Sequence, residues 1–166
     1  TVVDAAIDAW NAADVDALKA LFADEAVVYF PDWDETITGR EQIDAWIEAL
    51  AASNFAIEPE STQVEGDTVT VVAKVWADES RATGIAPLVT TDVYTVQDGL
   101  ITSQTSTLSE ESAAKLMAVM AAMEPEMMPE TGGEALPAYT VLMVLGGLAV
   151  LGGLGLVLRP ISGRRR

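Results

Sequence analysis

The apolar residues of this chain change period once, and that change limits the fold more than any other feature. Up to about residue 51 they recur at helical spacing. Ile7 and Trp10 share a face in one segment. Val15, Leu18, Leu21 and Phe22 do so in a second, which Asp14 is placed to cap, and Ile43, Trp46, Ile47 and Leu50 in a third over 40–51. From residue 55 the period is two, in β-rich runs over 55–64, 68–77, 88–97 and 100–108. Glu65-Gly66-Asp67 and Asp98-Gly99 read as hairpin turns between them, and 26–30 as a short strand among the helices. Helices followed by a meander predict an α+β domain over residues 1–108, with N-terminal helices packed on a curved antiparallel sheet. A further helix is expected over 109–123, with Leu116, Met117, Met120 and Met123 as a stripe that fills gaps on the domain's own surface.

Neither histidine nor cysteine occurs among the 166 residues. That removes Ser/His and Cys/His catalysis, disulfides and the commonest transition-metal ligands, so any chemistry must come from carboxylates, Tyr or backbone dipoles. No cofactor and no metal is expected. The net charge is -17, and all but Glu130 and Glu134 of the 26 acids lie at or before Glu126. Such a body repels nucleic acid, which is not an expected partner, and reads as a solubilising surface.

Residues 124–137 have linker composition, with Pro125, Pro129, Pro137, Gly132 and Gly133 among acids. Residues 138–158 then carry no charge. As a helix they reach about 30 Å, the thickness of a bilayer core, and predict a transmembrane helix. Arg159 and Arg164, Arg165 and Arg166 follow, so 159–166 reads as a basic cytoplasmic tail that leaves the acidic body outside. Immediately before the span stands Met128-Pro129-Glu130-Thr131-Gly132.

The order of peptide, apolar stretch and basic tail resembles the LPXTG-type cell-wall sorting signals of Gram-positive-type bacteria. The resemblance implies that a sortase cysteine attacks the Thr131 carbonyl, releases the chain from Gly132 onward and passes the acyl group to an amino group of a cell-wall precursor. Pro129 would hold the peptide extended, and Gly132 would let a nucleophile approach. Met128 stands where the family usually has Leu, a residue of similar volume. Sortase, the wall precursor and the membrane are therefore expected partners. The expected location is the cell surface, wall-anchored or single-pass with the N-terminal domain outside. Export calls for a signal peptide, so a chain that opens at Thr1 is expected to be a mature form or a fragment.

Three stretches, DAWNAADVDALKALFADEAVVYF, TGREQIDAWIEAL and DVYTVQDGLI, resemble SnoaL-like domains of the nuclear transport factor 2-like superfamily, over about residues 2 to 108. The resemblance implies a cone with a pocket between curved sheet and helices, often dimeric through the sheet's outer face. This superfamily hosts ketosteroid isomerases, polyketide cyclases, dehydratases, limonene epoxide hydrolases and non-enzymatic binding domains. Its isomerase branch uses a base on the first strand, a Tyr on the first helix and a protonated Asp on a later strand. Those positions fall at Phe30, near Ala6 and at Asp92.

Leu88, Thr90, Asp92, Tyr94 and Val96 share one face of their strand, and burial there would raise the Asp92 pKa. The candidate pocket set is Trp10, Tyr29, Trp46, Asp92 and Tyr94, and Trp33 and Trp76 are further aromatics; large rings at such spacing also serve as plain core. Asp32, Asp34 and Glu35 form an acidic turn without EF-hand spacing, expected to be a solvated loop. Residues 102–107, TSQTST, offer hydrogen bonds and no acid–base group. The expected function is a wall-anchored surface protein whose domain binds a small apolar ligand or self-associates as a homodimer. The alternative is a surface lyase, isomerase or hydrolase using Asp92, the one candidate catalytic residue, on an apolar substrate. In a sortase-bearing host the native chain is expected in the wall fraction and Thr131→Ala in the membrane fraction; a wall-linked Thr131→Ala protein would sink the sortase reading.

Overall fold

Thr1 and Asp4 open the first helix reciprocally: the Thr1 hydroxyl accepts from the Asp4 N–H at 3.1 Å, and the Asp4 carboxylate accepts from Thr1 at 2.8 Å. That helix, α1 (Val2–Ala12), ends at Ala13 in the left-handed region. Asp14 then caps α2 (Val15–Leu21), its carboxylate accepting from the Ala17 N–H at 3.0 Å. The helical pattern suggested a longer α2. Phe22 instead turns extended and begins β1 (Phe22–Phe30), four residues earlier than its alternation suggested.

The computed structural model describes residues 1–123. The linker (124–137), sorting peptide (128–132), apolar run (138–158) and basic tail (159–166) lie outside the described residues. Among the described residues no helix is long and apolar enough to cross a membrane. After β1 come a 3-10 turn (Pro31–Trp33), β2 (Glu35–Thr38), α3 (Gly39–Ala52), β3 (Ala56–Glu65), β4 (Thr68–Trp76), α4 (Asp78–Ala82), β5 (Leu88–Gln97), β6 (Leu100–Leu108) and α5 (Glu110–Met123). The β5–β6 turn has positive φ at both Asp98 (51°) and Gly99 (79°), the form that matches strand twist in a two-residue hairpin. β2 and α4, each five residues or shorter, carry too little periodicity to be seen in the sequence.

One curved sheet runs β2-β1-β6-β5-β4-β3. It is mixed, and the expectation of a wholly antiparallel sheet is corrected: β1 lies parallel to β6, pairing Val28 with Gln104 and Tyr29 with Thr105. Alternation marks a strand but says nothing of its neighbour's direction. The other neighbouring pairs are antiparallel.

The helices cover one face, where Leu18, Val28, Ile43, Ile47, Val71 and Ile101 are wholly buried. Arg40 ties α3 to the start of the sheet by donating to the carbonyls of Lys19 (2.7 Å) and Phe22 (2.6 Å) and pairing with Asp24. Across the domain, the Asn11 side chain acts as a strand partner for the exposed edge strand β3. It donates to the Ile57 carbonyl and accepts from the Ile57 N–H, both at 2.9 Å. The sequence placed the last helix's apolar stripe through Met117, but Met117 is exposed and Ser112, Leu116, Val119 and Met120 face inward. These follow the i, i+3, i+4 spacing of a helix face, from which Met117 is turned by about 100°.

Asn11→Ala leaves both Ile57 backbone groups without that partner, and a lost pair of partly buried hydrogen bonds costs about 1–3 kcal/mol. Chemical denaturation is expected to show a loss of that size, with Asn11→Asp intermediate because a carboxylate accepts but cannot donate.

Candidate functional site

The sheet and helices do not close completely on each other. A cavity of about 120 Å³ lies between them, of the order of the ~150 Å³ apolar cavity that admits a benzene-sized guest. Its wall is largely apolar, and five aromatic rings contribute: Trp10 from α1, Phe30 from β1, Trp33 from the 3-10 turn, Phe55 between α3 and β3, and Tyr94 from β5. Leu116 of α5 lines it too, packed with Ile85, Trp33, Leu88 and Leu108. α5 is seated by Ser112, whose hydroxyl accepts from the Val89 N–H at 2.8 Å.

Four polar residues interrupt the hydrocarbon: Thr90 and Asp92 on β5, Gln104 and Ser106 on β6. Period two brings Thr90, Asp92 and Tyr94 to one face of β5. The β6 pair arrives there through an irregularity. Gln97 faces Leu100 and Val96 faces Ile101, as the tight turn dictates, but the register then shifts by one, so that Tyr94 faces Gln104 and Asp92 faces Ser106. Directly opposed residues share a face, so an unbroken ladder would have sent Ser103 and Thr105 inward instead. The bulge therefore puts an amide beside the carboxylate.

Asp92 is 4% exposed. Thr90 Oγ1 donates to its Oδ2 at 2.7 Å and Gln104 Nε2 to its Oδ1 at 3.2 Å. Burial pushes the carboxyl above its ordinary value of 3.8, opposed by the hydrogen bonds of Thr90, Ser106 and Gln104, which favour the charged form. Burial, and secondarily the Asp92 charge, holds the Tyr94 phenol well above its usual 10. Gln104 Oε1 is buried and accepts no hydrogen bond from the protein.

Of the residues singled out from the sequence, Trp10, Asp92 and Tyr94 line this cavity. Tyr29 and Trp46 are not in its wall. Tyr29 alternates with Val28 and Phe30 and so faces away from the core, its hydroxyl 3.5 Å from Asp34. Trp46 is buried edge-on to Trp10, Phe22 and Phe30 with centroids 5.5–6.2 Å away. Val96 lies past the register shift and packs with the main core. Phe55 gave no sequence signal beyond apolarity, Phe30 was marked only as the position of the isomerase base and Leu116 only as part of a surface stripe; Gln104 was visible only as the one amide in a run of hydroxyls.

In the acidic turn, Asp32 accepts from the Leu108 N–H at 2.8 Å and so fastens the turn to the end of β6. Burial raises the Glu35 carboxyl. Among the described residues no group of three acidic side chains is placed to hold a metal ion.

Residues 3–104 match the family described as the SnoaL-like domain. No curated protein matches the chain. A candidate polyketide cyclase from Sinorhizobium meliloti is 31% identical, covering 63% of this chain and 92% of its own, with a TM-score of 0.54. An NTF2-like protein of unknown function from Cytophaga hutchinsonii is 18% identical over 65% of this chain and 87% of its own, TM-score 0.55. SalBIII, an epoxide hydrolase/cyclase-like enzyme of pyran ring formation in the polyether salinomycin, is 20% identical over 67% of this chain and 90% of its own, TM-score 0.59.

Because folding raises the Asp92 pKa, the folded state holds the proton to higher pH than the unfolded chain. The stability this group contributes is complete below 3.8 and is lost as pH rises through the folded-state value. Asp92→Asn cannot ionise. Its unfolding free energy, followed against pH, is expected to exceed that of the native protein most on the neutral side and to converge with it in acid; parallel profiles would contradict the assignment.

Proposed function

The chain belongs to the SnoaL-like family, and from that membership we propose that its domain is a receptor for a small apolar molecule, displayed on a bacterial surface. The observation that carries this reading is the cavity itself, walled by aromatic and aliphatic side chains with one carboxylate at its polar end. Pockets of that composition take up ligands by burying hydrocarbon while a few polar groups fix orientation. Phe30 presents a hydrocarbon ring to the cavity at the position where the isomerase branch has its base. Ala6, near the position of that branch's Tyr, is buried in the core. The surface location is supported by Met128 to Gly132, the uncharged run 138–158 and the terminal arginines, in that order along the chain. On this reading the span holds the protein only until sortase transfers Thr131 to the wall, and the acidic domain stands outside.

One observation favours a second reading, proton transfer on an apolar substrate: the raised pKa of Asp92 would let it serve as an acid or base nearer neutral pH than an ordinary carboxylate. Tyr94 is the other titratable group in the wall, and its phenol stays protonated. The geometry thus supplies two groups that hydrogen-bond and one that could exchange a proton.

A panel of small apolar compounds screened by thermal unfolding of the full chain tests the receptor reading. A ligand present at one hundred times its dissociation constant stabilises by about 2.7 kcal/mol, a shift of several degrees. Leu116→Trp fills the cavity from its α5 side and is expected to abolish the shift. If no compound moves the transition, the domain is a spacer. Consumption of a stabilising compound by the native protein but not by Asp92→Asn would turn the receptor into an enzyme.

A further inference from the structure

The carboxylate in the cavity has no counter-charge. Among the described residues each Lys and Arg side chain pairs with another acid: Lys19 with Glu48, Arg40 with Asp24 and Asp44, Lys74 with Glu60, Arg81 with Asp78, and Lys115 with Glu111. None of these residues lines the cavity. A buried carboxylate without a counter-ion either takes up a proton or waits for a cation. The second unmet group decides what kind of cation. Gln104 Oε1 is buried beside Asp92 with no donor, which sets the polar end of the cavity as an array of acceptors in want of an N–H or O–H.

Different ligands satisfy this array unequally. A hydrocarbon leaves both groups unmet, and an anion is repelled by Asp92. An alcohol gives Gln104 its donor but leaves the carboxylate charge uncompensated. A quaternary ammonium supplies charge but no N–H. A protonated amine supplies both, and its hydrocarbon then lies against Trp10, Phe30, Trp33, Phe55 and Tyr94. The body's formal charge adds a long-range preference of the same sign, since the whole chain carries -17.

Resting on the receptor reading above, we propose that the ligand is a small apolar amine, bound as its ammonium ion with N–H toward Asp92 and Gln104 Oε1. The cavity of about 120 Å³ limits it to roughly one six-membered ring.

Piperidine and tetrahydropyran are rings of one shape; at neutral pH the first is an ammonium ion and the second a neutral ether. Calorimetric titration of the full chain is expected to show piperidinium binding about tenfold or more tighter than tetrahydropyran. Asp92→Asn is expected to erase that preference while retaining the ether, and its melting transition reports whether it is folded. On the native protein, acidification through the Asp92 titration is expected to weaken piperidinium alone. Tyr94 is the other titratable group lining the cavity and stays neutral throughout that range. If the ether binds as tightly as piperidinium, or the preference survives Asp92→Asn, the ammonium assignment is overturned and the receptor reading stands. If neither ring nor any apolar compound binds, both are overturned.

Discussion

Trp46 sets the distance between helices and sheet. It comes from α3, is almost wholly buried, and meets Trp10 of α1 and Phe22 and Phe30 of β1 through edge-on contacts. Edge-to-face rings attract through their quadrupoles beyond the area they bury. Such a knot fixes the spacing of three elements at once. Trp10 and Phe30 each have a second role. On one side they pack against Trp46, and with Phe55 and Trp33, their other ring neighbours, they form the wall of the cavity. Core and cavity are thus two sides of one aromatic layer, which holds the cavity open.

The polar end of the cavity has the opposite character. Burial disfavours the charged form of Asp92, and the hydrogen bonds of Thr90, Ser106 and Gln104 offset that only in part. The hydrogen bonds orient the carboxylate but add no positive charge, so its ionisation remains sensitive to what occupies the space in front of it. The Lys and Arg side chains of the described residues all pair with other acids, and none reaches this buried one.

α5 closes one side of the cavity. Ser112 and Leu116 seat it on β5 and at the cavity wall.

The sequence alone marked what depends on near neighbours. The caps at Asp14, the helical face of Ile43, Trp46, Ile47 and Leu50, the bounds of β5 and β6, and the Asp98-Gly99 turn are each settled within a few residues by backbone hydrogen bonding and side-chain period. Trp10, Asp92 and Tyr94 could be picked out because aromatic and ionisable residues on a predicted buried face are few. What the tertiary structure alone decided was which strands meet and in what register. The parallel pairing of β1 with β6 joins segments far apart in the chain, and the one-residue shift in β6 turns Gln104 and Ser106, rather than Ser103 and Thr105, toward Asp92. Alternation is the same in either register; only the packing of β6 between β1 and β5 selects the face, and with it the chemistry of the cavity.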